Sequence, residues 1–285
     1  MRDNFSDAAL VVLGHGTTLN DRSALPVLQH AGELQRRGLF AEVHAAFWKQ
    51  SPQVKQVLQE IKSPRVFIVP LFISDGYFGC EIIPRELGFE RTDPFAPRFT
   101  HHPDRVTFYG RPVGTHNRMT EVILARAREV VALHPFPRAP RPGDITLFVA
   151  GHGTERNENS SQAVERQVQL IRSQQQYAAV HGLFMEETPR IAECYALAPT
   201  RNLVVVPFFI SDGLHTVEDI PVLLGETERV VQQRLASGQP TWRNPTERNG
   251  KLVWYSSAVG TEPGMAEVIL ERVREAAGAP GAATP

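Results

Sequence analysis

The sequence predicts an α/β protein made of two similar, doubly wound parallel-sheet domains produced by an internal duplication. Two observations carry that prediction. The stretch "LVVLGHGTTLN", beginning at Leu10, returns as "LFVAGHGTERN", beginning at Leu147. Around each copy, short and nearly continuous apolar runs alternate with stretches of helical periodicity, as a parallel sheet covered on both faces requires.

The repeat is regular. His15 maps to His152, a difference of 152 − 15 = 137, and the same difference carries His44 to His181, Phe47 to Phe184, Pro52 to Pro189, Pro70 to Pro207 and Pro84 to Pro221. Beyond Gly88 the likeness resumes at a larger offset, where "FYGRPVGTHNRMTEVILARAREV" from Phe108 matches "WYSSAVGTEPGMAEVILERVREA" from Trp254. The second copy therefore carries an insertion between Leu224 and Lys251. Sequential reading places a first domain over 1–134, a proline-rich linker over 135–144, a second domain over 145–277 and a flexible tail over 278–285.

Within the first copy, "ALVVLG" reads as a strand, followed by a helix from about Ser23 to Arg37. "AEVHAAF" is a second strand, with a helix after Pro52; "RVFIVPLFI" is a third, with a helix near Glu81 to Leu87; "RVTFYG" is a fourth, followed by the helix of "RMTEVILARAREVVAL". The second copy repeats the series with "ITLFVAG", "AAVHGLF", "NLVVVPFFI" and "KLVWYS". Right-handed crossovers favour the strand order 2-1-3-4, whose switch point lies beside the first strand.

That order decides where chemistry is placed, because ligands bind outside the carboxyl ends of such strands. Strands two, one and three are neighbours about 4.8 Å apart. Their ends in the second copy carry Glu186, His152 and His215; the same places in the first copy carry Lys49, His15 and Phe78. Two imidazoles from neighbouring strand ends suit one divalent ion, with the carboxylate as ligand or proton acceptor. An imidazole beside a cation and a phenyl ring does not. The second copy is the expected working one.

The elements "AGHGTERN", "FMEETP" and "PFFISDGLHTVEDIP", in this order and spacing, resemble the class II tetrapyrrole chelatases of the CbiX and CbiK type, across nearly the whole chain. The resemblance implies a bilobal chelatase-like fold with a tetrapyrrole held between the lobes, a histidine pair (His152 and His215) that receives the metal, and a glutamate (Glu186) in proton traffic. The implied reaction inserts a divalent metal, Co²⁺ first and otherwise Fe²⁺ or Ni²⁺, into a sirohydrochlorin-type tetrapyrrole for cobalamin or siroheme synthesis. The metal is a substrate and no organic cofactor is expected. Candidate contacts to the substrate's carboxylates are His15, Lys49, Thr154 and Arg156. A metal or tetrapyrrole carrier on the same scaffold is the alternative.

Other features narrow the class. A formal net charge of −1 gives no electrostatic reason to expect nucleic acid or an anionic membrane as partner. The longest apolar runs are far shorter than a membrane span, and the start of the chain has no secretory pattern. Two cysteines, Cys80 and Cys194, suit a reducing compartment, so a cytoplasmic protein is expected. Neither a Walker A loop nor a G-x-G-x-x-G turn is present. His44 and His181 lie inside strands and read as structural, His101 and His102 as an incidental exposed loop pair. Asp219 fits either a helix cap or a place near the metal.

Overall fold

The computed structural model describes residues 5–17, 23–90, 98–154 and 159–278. In the first half, β1 (Phe5–Gly14), α1 (Leu25–Arg36), β2 (Phe40–Phe47), α2 (Val54–Glu60), β3 (Arg65–Pro70), α3 (Ile83–Glu86), β4 (Arg98–His102) and β5 (Arg105–Tyr109) precede the long helix α4 (Met119–Leu133). The second half runs β6 (Ile145–Gly151), α5 (Asn159–Ser173), β7 (Ala179–Phe184), α6 (Cys194–Leu197), β8 (Asn202–Pro207), α7 (Ile220–Leu223), α8 (Glu228–Ala236), β9 (Thr246–Arg248), β10 (Lys251–Tyr255) and α9 (Met265–Ala277). A five-residue π-helical turn stands before each of α3 and α7, at Phe78–Ile82 and His215–Asp219.

Each half builds one five-stranded sheet, in the orders β2-β1-β3-β5-β4 and β7-β6-β8-β10-β9. Four strands of each run parallel in the predicted order; the last, β4 or β9, is an added antiparallel edge strand. His101 and His102 thus lie on an edge strand rather than in a loop, and both are exposed or nearly so. The central strands are buried on both faces. β6 is buried along its whole length, and Leu147, Phe148, Val149 and Ala150 are completely inaccessible. Such burial contributes on the order of 2 kcal/mol for each large aliphatic side chain. The insertion in the second half supplies α8, which packs on α7. No helix among the described residues is long and apolar enough to cross a membrane.

The compact units differ from the sequential division into 1–134 and 145–277. One unit runs to His116 and resumes at Pro263; the other is Asn117–Glu262. Helix α9 packs on β3, β5 and α1 in the first unit, and α4 packs on β8, β10 and α5 in the second. Each sheet is thus covered by the last helix of the other half. Periodicity identifies an amphipathic helix but not which of two similar sheets receives it.

A buried arginine anchors each exchanged helix. Arg272 donates from Nε and Nη2 to the Pro112 carbonyl (3.1 and 2.7 Å) and from Nη2 to the Thr115 hydroxyl (2.7 Å). Arg126 makes the matching bonds to the Ala258 carbonyl (3.2 Å) and the Thr261 hydroxyl (2.7 Å). The arrangement repeats at one offset: 272 − 126, 258 − 112 and 261 − 115 all equal 146. Burial pulls the Arg272 guanidinium below its ordinary pKa, and the Glu275 carboxylate opposes that. Truncation at either position leaves buried carbonyl and hydroxyl groups without their charged donor. Arg272→Ala and Arg126→Ala are each expected to lower stability by about 3 kcal/mol in urea unfolding, while Arg274→Ala at the same helix's more exposed ion pair changes it by about 0.5 kcal/mol or less.

Candidate metal site

The site grows out of strand register. β6 pairs with β7 up to Gly151–Phe184 and with β8 up to Ala150–Pro207, so three chain segments leave the sheet side by side. Backbone bonds continue past the ladder: the Glu186 amide donates to the His152 carbonyl (3.1 Å) and the Phe208 amide to the Ala150 carbonyl (2.7 Å). The glycines flanking His152 are required by close packing. A Cβ on Gly151 would stand 2.7 Å from Val164 of α5, and one on Gly153 would stand 2.9 Å from the Phe184 Cβ. Gly153 also has φ of +64°, which an L side chain rarely adopts.

The imidazoles of His152 and His215 meet edge to face, with centroids 5.0 Å apart and planes at 77°. Glu186 Oε2 lies 3.9 Å from His152 Nδ1. Hydrogen bonding assigns both tautomers. His152 Nδ1 is 2.6 Å from the Gly153 carbonyl, and His215 Nδ1 is 2.7 Å from Asp219 Oδ2. A carbonyl and a carboxylate only accept, so both Nδ1 atoms carry a proton, and in the neutral form of each ring Nε2 keeps the lone pair. Among the described residues, no cluster of three or more His, Cys, Asp or Glu side chains is arranged to enclose a metal. Beside the pair lies a cavity of ≈ 350 Å³, lined in part by Glu186, Glu218, Asp219 and Glu228.

The first unit builds the same scaffold with different side chains. The Lys49 amide donates to the His15 carbonyl (2.9 Å), and His15 Nδ1 donates to the Gly16 carbonyl (3.0 Å). In place of a second imidazole, Phe78 meets His15 edge to face at 5.6 Å, and Lys49 Nζ lies 5.2 Å over the Phe78 ring. Of the remaining candidates, Thr154 donates its backbone amide to the Glu187 carboxylate, and Arg156 lies outside the described residues. His44 pairs with Glu42 at 3.1 Å and His181 stacks on Phe148 at 5.6 Å, both within the sheets. The sequence allows Asp219 either a cap or a place at the site; its carboxylate is on His215 and makes no cap bond. The signal available was the four-residue spacing from His215, which brings two side chains of a helical turn together.

A duplicated doubly wound fold with an open imidazole pair at one switch point is that of a metal chelatase. A family model, CbiX, matches the chain twice, over residues 9–130 and 146–276. The protein belongs to the CbiX family. It is 42% identical over 283 residues to a probable sirohydrochlorin cobaltochelatase of Halobacterium salinarum, covering 95% of this chain and 92% of that one. Among solved structures, a multi-domain protein of Deinococcus radiodurans with structural similarity to chelatases and two additional domains superposes with a TM-score of 0.77 at 28% identity. That alignment covers 94% of this chain and 55% of the longer protein. SirB of Bacillus subtilis, solved with Fe³⁺, shares the fold at a TM-score of 0.65 and 18% identity, with 95% and 96% of the two chains covered.

Burial holds the His15 pKa below its ordinary value; the Gly16 carbonyl opposes this and the Lys49 charge adds to it. Since the unfolded chain binds that proton more readily, the stability conferred by neutral His15 is complete above about pH 6.5 and is lost as pH falls through the folded value. Lys49→Met removes the like charge and should move the His15 titration upward in an NMR pH series, still short of the ordinary value because burial remains.

Proposed function

We propose that the protein inserts a divalent metal ion into a sirohydrochlorin-type tetrapyrrole and that the second unit performs the chemistry. The observation that carries this reading is the pairing of His152 with His215 at 5.0 Å beside Glu186, against Phe78 and Lys49 at the same places in the first unit. His152 and His215 receive the metal through Nε2. Two neutral nitrogen ligands leave most coordination positions open, so the ion is held for transfer rather than enclosed. The carboxylates of the neighbouring cavity raise the local concentration of divalent cations.

Metal insertion releases two pyrrole N–H protons. Glu186, exposed and 3.9 Å from His152, accepts them and passes them to solvent. Imidazole suits Co²⁺, Fe²⁺ and Ni²⁺ alike, so donor type alone does not choose among them. Co²⁺ is the metal we assign, in line with the name of the 42% identical relative. His15 and Lys49 of the first unit, and Thr154 and Arg156 of the second, are proposed contacts for the substrate's carboxylates.

The test is incubation of the purified protein with Co²⁺ and sirohydrochlorin, followed by absorption. Many equivalents of product per protein support the reading; a spectral change that stops at one equivalent identifies a carrier and overturns it. His215→Ala should lower kcat at least 100-fold by loss of a metal ligand, and Glu186→Gln about 10²-fold by loss of the proton acceptor. Phe78→Ala, at the matching place in the first unit, should leave the metal affinity unchanged.

A further inference from the structure

His152 obtains its tautomer from the backbone, whereas His215 depends on a side chain. The Asp219 carboxylate lies 2.7 Å from His215 Nδ1, at the opposite end of the same five-residue π-helical turn. We propose that Asp219 is a positioning residue: it holds His215 in the Nδ1–H form and fixes its ring, so that Nε2 is the nitrogen offered to a divalent ion. The inference rests on the reading of His152 and His215 as the metal-receiving pair.

Two observations set aside a purely structural role for this carboxylate. First, Asp219 lies inside one unbroken helical segment, with φ −67° and ψ −50°, where no helix start needs a cap, and its side chain makes no capping hydrogen bond. The local hydroxyl that could have shared a capping pattern with it, Thr216, donates instead to the Gly213 carbonyl at 2.8 Å. Second, the first unit forms the same π-helical turn, Phe78–Ile82, whose one carboxylate, Glu81, stands where Glu218 does and not where Asp219 does. At the repeat offset, 215 − 78 and 219 − 82 both equal 137, so Phe78 and Ile82 stand where His215 and Asp219 do. The turn folds with an isoleucine in the place of the aspartate. Where the imidazole is missing its carboxylate partner is missing too, whereas His15, whose Nδ1 bond goes to the Gly16 carbonyl, persists without one. The carboxylate accompanies the second histidine rather than the turn.

The physical consequence is specific. A neutral imidazole offers one lone pair, and an imidazole protonated on Nε2 offers it from the wrong side of the ring. A carboxylate on Nδ1–H removes that alternative, restrains the ring and makes Nε2 a better donor.

Asp219→Ile, which copies the residue of the first unit, and Asp219→Asn, which keeps an accepting oxygen, test this. The readouts are the His215 tautomer by long-range ¹H–¹⁵N spectra of the metal-free protein, assigned by comparison with His215→Gln, and the affinity for Co²⁺ alone by titration. We expect D219I to populate the Nε2–H form and to bind Co²⁺ 10- to 100-fold more weakly, and D219N to keep the Nδ1–H form and bind within about tenfold of wild type. A D219I protein whose His215 stays Nδ1–H, or whose Co²⁺ affinity changes less than about twofold, overturns the proposal. The two readings fail separately. If wild-type protein does not metallate sirohydrochlorin but D219I still shifts the tautomer and weakens Co²⁺ binding, the proposed function fails and the role of Asp219 stands. If wild type metallates and D219I matches it in both readouts, only the role of Asp219 fails.

Discussion

Parallel strand register is the constraint on which the site depends. Adjacent strands are spaced by their hydrogen bonds at about 4.8 Å, so the chain leaves the ends of β7, β6 and β8 side by side. His152 follows β6 directly, and the segment after β8 brings His215 back to it, with the rings 5.0 Å apart. Backbone bonds beyond the ladder, from Glu186 to His152 and from Phe208 to Ala150, hold the loops before any side chain is chosen. The first unit has the same framework, with Lys49 bonded to His15 and Leu71 to Leu13, yet it presents a cation over a phenyl ring. The scaffold supplies positions, and the two units fill them with different side chains.

Much of this was legible in the residues. The alternation of apolar runs with helical periodicity foretold four parallel strands per sheet and their order, and that order put His152, His215 and Glu186 at neighbouring strand ends. The edge strands were not legible, because β4 ("RFTHH") and β9 ("TER") are short and mostly polar and gain their pairing only from the neighbouring strand. The destination of α4 and α9 was hidden for another reason. Two sheets of nearly equal surface are equally good partners for an amphipathic helix, and only the fold selects between them. The contact of Asp219 escaped because a carboxylate four residues after a histidine satisfies a helix cap, a solvent contact or an imidazole equally well on paper.

The two cysteines illustrate how environment, rather than identity, sets chemistry. Cys194 is fully buried, and burial pushes its thiol up to about 12. Cys80, half-buried, is likewise held at about 12 by burial and by the Asp75 carboxylate that its thiol faces at 3.7 Å. Neither presents a thiolate at neutral pH.

The exchange of terminal helices bears on why the altered copy is kept. Its closing helix, α4, roofs the sheet that carries the imidazole pair, and its own sheet is roofed by α9 from the opposite half. Deleting the first copy would strip the second sheet of a buried wall and leave α9 with no surface to cover. The first copy is structurally indispensable although it is not chemically equivalent to the second. Selection on folding alone is then sufficient to retain it, and the places that match His215 and Glu186 are free to hold other side chains.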